Sequence, residues 1–445
     1  MAAISRVLFR LSLAEHSPLR AAFFIAKTEI RDDMLHNEST ESGRTEQNIQ
    51  ALSGIKVLDL SRVLAGPSST QILADLGAEV IKVERPVVGD ETRHWNPPSF
   101  TDEQTGEQTA AYFATVNRNK KSITVDITTA EGQQLIKALA KDSDVLVENF
   151  KVGGLKKYGL DYESLKALNH RLIYASLTGF GQTGPEAHKP GYDYIIQGLS
   201  GLMSITGPSG GEPHKVGVAV VDLFAGLQLT VGIQAALLAR ANTGEGQHVD
   251  VALLDSAIAM LANIGMNHLA SGKTPPRLGN AHPNITPYQV YATADDSHFI
   301  LACGNDSQFA KVCDVIGVAL HEDQRYSTNP ARVQNRESLQ QVLTAVFKTK
   351  TREQWLQLLQ QAGVPCGPIH NVTEALAMPQ VQARDMIVSF EGSPVRALGS
   401  PIKLSGTPVS YHSAPPALGA DTEAVLHSMG LSDEKIQQLR AQNIV

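Results

Sequence analysis

The chain of 445 residues has little cysteine, few aromatic residues and no long uninterrupted apolar run. Its three cysteines, Cys303, Cys313 and Cys366, form no C-x-x-C pair, which excludes a disulfide scaffold and a cysteine-rich zinc site. No stretch approaches the roughly 18 consecutive apolar residues of a membrane span. The net charge of −7 argues against nucleic acid as the main partner. We therefore expect a globular protein with neither a membrane nor a nucleic acid as partner.

Several motifs of cofactor chemistry are also missing from the sequence. The turn Ser61–Pro67, which follows the first apolar run, contains no G-x-G-x-x-G, and no G-x-x-x-x-G-K-[ST] phosphate loop occurs. There is no H-E-x-x-H metal spacing. We expect neither NAD nor ATP nor a metal to serve as a resident cofactor.

The N-terminal 27 residues differ from the rest of the chain. They carry Arg6, Arg10, Arg20 and Lys27 against the single acid Glu15, with apolar residues between them. Arg-rich, acid-poor N-termini of this kind are typical of mitochondrial transit peptides, although a surface helix could share the pattern. We expect residues 1–27 to be a transit peptide to the mitochondrial matrix and the polar residues 28–51 to be a disordered tether.

Short apolar runs alternate with helical segments from residue 54 onward. The runs are Gly54–Leu60, Glu79–Glu84, Ile123–Ile127, Asp144–Glu148 and Leu172–Ser176. Thr129–Lys141 is predicted to be a helix, with Thr128 and Glu131 spaced as a capping box. This alternation predicts an α/β fold with a parallel sheet covered on both faces. Ligands of such sheets bind at the carboxyl ends of the strands.

The second half of the sequence is mainly helical. Asp222–Arg240 is apolar on nearly all sides and is predicted to be a buried helix, as is Leu254–Leu269. A second, smaller α/β unit is expected from about residue 288 to residue 361. Asn371–Arg384 and the charged tail Leu418–Val445 are also predicted to be helical.

Eight short motifs, in order along the chain, resemble the class III CoA-transferase family, which also contains the α-methylacyl-CoA racemases. They lie in Gly54–Pro67, Leu76–Glu84, Asn117–Ser122, Val147–Phe150, Thr178–Gly181, Thr243–Gln247, Gly363–Pro368 and Leu418–Leu431. The resemblance covers about residues 52–445. The family members it most resembles move CoA from succinyl-CoA to a dicarboxylic acid such as glutarate or hydroxymethylglutarate.

The resemblance implies a Rossmann-like large domain completed by the C-terminal segment, a small α/β domain, and a homodimer of two interlocked chains. The expected divisions are 52–253 for the first part of the large domain, 254–287 for a linker, 288–361 for the small domain, 362–394 for a second linker and 395–445 for the end of the large domain.

Asp222 stands between an apolar run and an apolar helix. An unpaired buried charge is costly, so either a helix-capping role or a chemical role must account for it. A helix N-terminus would also help to keep the carboxylate ionised. By resemblance, Asp222 is the nucleophile that attacks an acyl-CoA thioester and then carries CoA as an aspartyl thioester.

The racemases of the family keep this aspartate and add a histidine 30 residues earlier, because moving a proton off and back requires two acid–base groups. That position is Tyr192 here, a poor base near neutral pH. The resemblance therefore favours a transferase, with the racemase as the alternative. Asp193 is either a second carboxylate or a turn residue. A CoA-binding protein without activity and a structural scaffold remain possible readings.

The resemblance also implies which residues bind the substrates. Arg62, Arg85, Asn149 and Lys157 occupy positions expected to contact CoA, although Lys157 replaces an arginine. The distal carboxylate of a dicarboxylic acid needs a cation, and Arg118 is the first choice, followed by Arg93 and His282. The segment 279–283 is near a position where some members have a glycine-rich lid.

Overall fold

A computed structural model of the protein describes residues 49–445. The predicted transit peptide and residues 28–48 of the predicted tether lie outside this part of the chain. The strands are β1 Lys56–Asp59, β2 Glu79–Glu84, β3 Ser99–Thr101, β4 Gln108–Ala110, β5 Lys120–Thr124, β6 Val145–Glu148, β7 Ile173–Thr178, β8 His248–Ala252, β9 Tyr288–Ala292, β10 His298–Ala302, β11 Cys366–Pro368, β12 Ile387–Ser389 and β13 Arg396–Leu398.

The α-helices are numbered in the same way. They are α1 Ala65–Asp75, α2 Ala111–Ala114, α3 Ala130–Lys141, α4 Tyr162–Lys166, α5 Asp193–Leu199, α6 Leu202–Ile205, α7 Val220–Thr243, α8 Leu253–Ala259, α9 Ala262–Ser271, α10 Asp306–Ile316, α11 Asn329–Gln334, α12 Arg336–Phe347, α13 Arg352–Gln361, α14 Val372–Ala377, α15 Pro379–Ala383, α16 Thr422–Ser428 and α17 Asp433–Ala441. Short 3₁₀ turns occur at Glu91–His94, Lys156–Tyr158 and Leu320–Glu322.

A six-stranded parallel sheet forms the centre of the larger unit, in the order β5-β2-β1-β6-β7-β8. Leu58 in β1 lies between Ile81 of β2 and Leu146 of β6. The prediction of a Rossmann-like parallel α/β sheet is confirmed. Successive strands are added outward on one side from β1 and on the other from β6, so the strand order reverses between them. Doubly wound sheets bind ligands at this reversal point.

Helices cover both faces of the sheet. On one face, α1 and α7 pack over Val57, Val147 and Ile173. These two helices approach closely, because a Cβ atom on Gly226 would lie 2.2 Å from the Oγ of Ser68. A larger residue at position 226 would therefore push apart the helix that carries Asp222 and the helix that follows β1.

The C-terminal segment completes the other face and extends along the edge strand β5. The backbone N–H of Ser122 donates to Asp421, and the N–H of Thr124 donates to the Oγ1 of Thr422. Leu426 of α16 and Ile436 of α17 are buried in the same core cluster as Leu58 of β1. The two ends of the described chain thus share one core.

Helix α7 is less buried than the sequence predicts. Leu223, Leu227, Val231 and Leu238 are each more than two-fifths exposed. With 24 residues and a mean hydropathy of 1.6, α7 could span a membrane by length and composition alone. Core helices of globular proteins satisfy the same criterion, and the opposite side of α7 packs on α1, β7 and β8. The exposed stripe is an apolar surface that residues 49–445 of a single chain leave uncovered.

The smaller unit contains an antiparallel sheet in the order β11-β10-β9, packed against α10, α12 and α13. Phe299, Phe347 and Trp355 form the centre of its separate core. Strand β11, at Cys366–Pro368, lies beyond the predicted end of this unit at residue 361. The unit is therefore a few residues longer than the sequence pattern indicated.

Three helix predictions differ in detail from the structure. Thr129, rather than Thr128, caps α3 by accepting from the N–H of Gly132. The predicted helix Leu254–Leu269 is two helices, α8 and α9, which are separated near Ala262, a residue with a positive φ of 44°. The segment 371–384 is likewise divided, because Pro379 begins a new helix and cannot continue α14.

We predict that Leu426→Ala lowers the free energy of unfolding by about 2–5 kcal/mol, because it leaves a cavity in the core that the two ends of the chain share. Leu168→Ala, at a half-exposed leucine, is the matched control and should change stability by less than about 0.5 kcal/mol. Urea unfolding measures both changes. Equal losses for the two variants would contradict a core contribution from α16.

Candidate active site

Two neighbouring cavities open at the carboxyl ends of β1 and β6, where the strand order reverses. The larger has a volume of about 830 Å³ and the smaller of about 210 Å³. Arg62, Phe150, Lys151 and Val152 line both cavities. Parallel-sheet folds place their ligands at this point, and the larger volume lies in the range of cofactor-sized sites.

The loop after β1 is fixed to the loop after β6 by Asn149. The side-chain oxygen of Asn149 accepts from the N–H of Arg62 at 3.0 Å, and its amide donates to the carbonyl of Arg62 at 2.8 Å. Asn149, predicted to contact CoA, thus uses both ends of its amide within the protein. The side chain of Arg62 is half-exposed, and its Nη1 lies 2.5 Å from the Oε1 of Glu91. Its guanidinium lies over the ring of Phe150.

Cations surround the larger cavity. Its lining includes Arg62, Arg85, Lys151 and Lys157. Arg85 and Lys157 are exposed, and the ammonium of Lys157 lies 4.6 Å from the ring centre of Tyr158. The structure therefore brings three of the four predicted CoA-binding residues, Arg62, Arg85 and Lys157, to one cavity. Asn149 lines the smaller one.

Asp222 lines the smaller cavity, together with Tyr192 and Gly191. It is the third residue of α7, whereas the capping position is Ala219, so the capping interpretation of Asp222 is wrong. Tyr192 is 65% exposed at the cavity wall. No histidine lines this cavity within the described residues.

Burial of Asp222 and the nearby charge of Asp193 raise the pKa of Asp222 to about 7. A shift of this size corresponds to about 4 kcal/mol against the charged form. The start of a helix stabilises an anion by only about 0.3–1 kcal/mol. Desolvation therefore outweighs the helix terminus, contrary to the expectation that the terminus keeps this carboxylate ionised. The resulting carboxylate is weakly solvated, which favours nucleophilic attack.

Asp193 lies at the start of α5 and points toward the first turn of α7. Its Oδ1 accepts from the N–H of Val221 at 2.8 Å and from the N–H of Asp222 at 3.2 Å. Its Oδ2 accepts from the amide of Gln197 at 2.6 Å. The sequence-based alternatives for Asp193 were a second carboxylate and a turn residue, and neither included this contact with α7.

The arginines predicted to bind a substrate carboxylate are held by carboxylates of the protein. Arg118 is buried, donates two hydrogen bonds to Asp75 and lies away from both cavities. Arg93 donates two hydrogen bonds to Glu84 and lies over the ring of Phe113. This pairing argues against a direct role in substrate binding and indicates that both arginines brace the fold.

His282 is also absent from the lining of the two cavities. Its Nδ1 accepts from the N–H of Asn284, and its ring lies against Tyr288 at the edge of the smaller unit. Burial, aided by the charge of Arg336, lowers its pKa. These contacts indicate a structural role within the single chain.

Sequence reasoning missed three side chains near Asp222. Lys151 and Lys189 line the smaller cavity. Tyr112 is half-buried, and burial together with the charges of Asp222 and Asp193 raises its pKa. Lys189 stands three residues before Tyr192, the residue that favours a transferase over a racemase. The sequence around Tyr192 therefore already contained a cation. Tyr112 had no comparable signal, because only the fold brings it to the site.

One group of side chains with metal-ligating geometry lies away from this site. Among residues 49–445, the grouping with metal-ligating geometry is Glu423, His427 and Asp433, which is exposed on the C-terminal helices. None of these three residues lines either cavity.

Comparison with known proteins identifies the family. The family model for CoA-transferase family III matches residues 52–422. The chain belongs to this family. It is therefore an enzyme of the CoA-transferase class, and the resemblance found in the sequence motifs is confirmed.

Named relatives of this family III chain include two with matching descriptions. The succinate–glutarate CoA-transferase of Agrobacterium fabrum is 50% identical over 380 residues, which is 84% of this chain and 94% of the relative. The human succinyl-CoA:glutarate CoA-transferase is 41% identical over 403 residues, 89% of this chain and 90% of the relative. A crystal structure of a CAIB/BAIF family protein from Brucella suis has 50% identity and a TM-score of 0.76, covering 85% of this chain and 99% of that one.

We predict that the rate of CoA transfer falls about tenfold per pH unit below pH 7, because the raised pKa of Asp222 leaves less of the reactive carboxylate there. Above pH 8 the rate should no longer depend on the ionisation of Asp222, because nearly all of this carboxyl group is then ionised. The ratio kcat/KM for succinyl-CoA between pH 5 and 9 measures this profile, because it reports the ionisation of the free enzyme, and circular dichroism at each pH excludes unfolding. An acid limb centred near pH 4 would contradict the assignment.

Proposed function

We propose that this family III enzyme moves CoA from succinyl-CoA to a small dicarboxylic acid such as glutarate, through an aspartyl-CoA thioester on Asp222. The observation that carries the proposal is the position of Asp222, whose cavity shares a wall with the larger cavity lined by cations. The names of the relatives from Agrobacterium fabrum and human support this substrate pair.

The larger cavity would hold the phosphate-bearing part of CoA, and the smaller would hold the reacting carbonyl. Phosphates are bound by cations that donate several hydrogen bonds, and Arg85 and Lys157 are exposed for this purpose. The distal carboxylate of the acid would meet Arg62, Lys151 or Lys189, the cations that line the smaller cavity.

The reaction begins when an Asp222 carboxylate oxygen attacks the thioester carbon of succinyl-CoA. The carbon–sulfur bond breaks, giving a mixed succinyl–aspartyl anhydride and the CoA thiolate. The thiolate then attacks the carbonyl of Asp222, which releases succinate and leaves an aspartyl-CoA thioester. This covalent route divides one difficult exchange into easier steps.

Glutarate then runs the same steps in reverse. Its carboxylate attacks the aspartyl thioester, expels the thiolate and forms a glutaryl–aspartyl anhydride. The thiolate attacks the glutaryl carbonyl, which gives glutaryl-CoA and restores the Asp222 carboxylate. Each thioester bond broken is replaced by one formed and no step consumes a proton, so the exchange needs neither ATP nor an acid–base pair.

The absence of a histidine from the described lining of the Asp222 cavity disfavours the racemase alternative, because racemisation needs two proton-transfer groups.

We further propose that two copies of the chain form a homodimer that covers the apolar stripe on α7, and that residues 1–27 direct the protein to the mitochondrial matrix. Sedimentation equilibrium and N-terminal sequencing of the protein recovered from mitochondria test these two proposals.

We predict that incubation with succinyl-CoA adds CoA to Asp222 in the active enzyme, because the thioester intermediate forms before the acceptor binds. Hydroxylamine trapping followed by peptide mass spectrometry locates the adduct. Asp222→Ala should lose both adduct and activity, whereas Asp314→Ala, at an exposed acid of the smaller unit, should keep both. An active enzyme with no modification at Asp222 would refute the mechanism.

We predict that Arg85→Ala raises the KM for succinyl-CoA about tenfold, with less effect on the KM for glutarate, because a charge-assisted phosphate contact of about 1.4 kcal/mol is lost. The wild-type KM for succinyl-CoA should also rise with salt more steeply than that of the variant. Lys348→Ala, at an exposed lysine of the smaller unit, is the control. Equal changes in both KM values would contradict a CoA-specific role.

A further inference from the structure

Helix α7 begins without a capping side chain of its own. The first four N–H groups of a helix have no partner within it, and Ala219 at the capping position offers no acceptor. The missing acceptor comes from Asp193, a residue on a different helix. Its Oδ1 receives the N–H groups of Val221 and Asp222.

A second set of hydrogen bonds fixes Asp193 itself. Its Oδ2 accepts from the amide of Gln197, one turn further along α5, and Gln197 is fully buried. The side-chain oxygen of Gln197 in turn accepts from the N–H of Val216 at 2.9 Å. The chain leading into α7 and the first turn of α7 are therefore both attached to α5 by one continuous network.

We propose that Asp193 is a positioning residue that caps α7 from outside and thereby fixes the carboxylate of Asp222. The inference rests on the proposed function, in which Asp222 is the nucleophile. Three donors converge on the Asp193 carboxylate, which is the environment of a structural acceptor. Since CoA exchange between two carboxylates moves no proton, the reaction needs no second acid–base group at this position.

The charge of Asp193 has a second consequence for the reaction. Together with burial, it disfavours the ionised form of Asp222. Among the described residues, the other titratable groups of the site are Tyr112 and the cavity-lining residues Arg62, Glu91, Lys151, Lys189 and Tyr192. Unlike these groups, Asp193 also accepts a described hydrogen bond from the backbone of Asp222. Substitution can therefore separate the geometric effect of Asp193 from its electrostatic effect.

The test compares Asp193→Asn with Asp193→Ala. The introduced amide keeps an oxygen acceptor for the first turn of α7 and removes the charge, because asparagine caps helices as well as aspartate. We expect Asp193→Asn to keep kcat within about threefold and to move the acid limb of the pH profile down by about half to one pH unit. Asp193→Ala should lower kcat about tenfold, with the KM for succinyl-CoA changed by less than about twofold.

A double variant controls for the contact with Gln197. The amide introduced by Asp193→Asn places an N–H₂ group against the N–H₂ group of Gln197. Adding Gln197→Glu replaces the second N–H₂ group with an acceptor oxygen. The other oxygen of the introduced carboxylate still accepts from the N–H of Val216. Any loss of kcat in the single variant should be recovered in D193N/Q197E. Asp314→Asn, at an exposed acid of the smaller unit, should leave kcat and the pH profile unchanged.

Two results would overturn the inference. If Asp193→Asn is as slow as Asp193→Ala and its acid limb does not move, Asp193 transfers a proton; if Asp193→Ala keeps the wild-type kcat, Asp193 positions nothing. The CoA adduct on Asp222 is measured in the same samples. A wild-type enzyme that is active without the adduct refutes the proposed function, whereas an adduct together with either result above refutes only the role of Asp193. Should Asp193→Ala fail to fold, a tenfold or greater loss of kcat in Asp193→Asn with an unmoved acid limb overturns the inference.

Discussion

A buried network of charges beneath the sheet's carboxyl edge determines the shape of the site. Asp59 at the end of β1 pairs with Lys120, and Lys82 on β2 pairs with Asp90, all four side chains being almost fully excluded from solvent. Burial disfavours the charge on Lys82, but Asp90 and other neighbouring carboxylates outweigh it and raise the pKa of Lys82. For Lys120 burial dominates and lowers the pKa to about 8.

This network holds the loop that follows β1. The ammonium of Lys82 donates to the carbonyl of Ser61, and Asp90 accepts from the N–H of Val63, a residue with a positive φ of 70°. The loop then presents Arg62 to both cavities. Removing one partner of a buried pair leaves an uncompensated charge, which typically costs about 3–5 kcal/mol. The conformation of Arg62 therefore depends on the buried charge pairs beneath the loop.

The sequence predicted the parallel sheet and the C-terminal helices, because strand runs and a helical tail are local patterns. The role expected for Asp222 came from the family resemblance, since a lone acid before an apolar helix equally suggests a cap. The sequence could not predict that Asp193 caps α7, since those residues are joined only through the packing of α5. It also could not show that Arg118 and Arg93 are paired, because an arginine with a buried partner has the same sequence signature as a ligand-binding one. Only the fold places Asp75 and Glu84 beside them, and this pairing argues against direct substrate binding.

Internal pairing also explains how an acidic protein can hold a polyanion. Lys82, Lys120, Arg93 and Arg118 are each paired with a buried carboxylate, so these cations contribute little field to the cavities. Among residues 49–445, the cations at the cavity walls are Arg62, Arg85, Lys151, Lys157 and Lys189. Arg62 and Lys189 also form ion pairs, with Glu91 and Glu186, but these pairs are half-exposed. Overall charge would repel CoA, and screening confines that repulsion to about 8–10 Å. We therefore propose that these few side chains set the affinity for CoA at short range, next to the proposed nucleophile Asp222 in the smaller cavity.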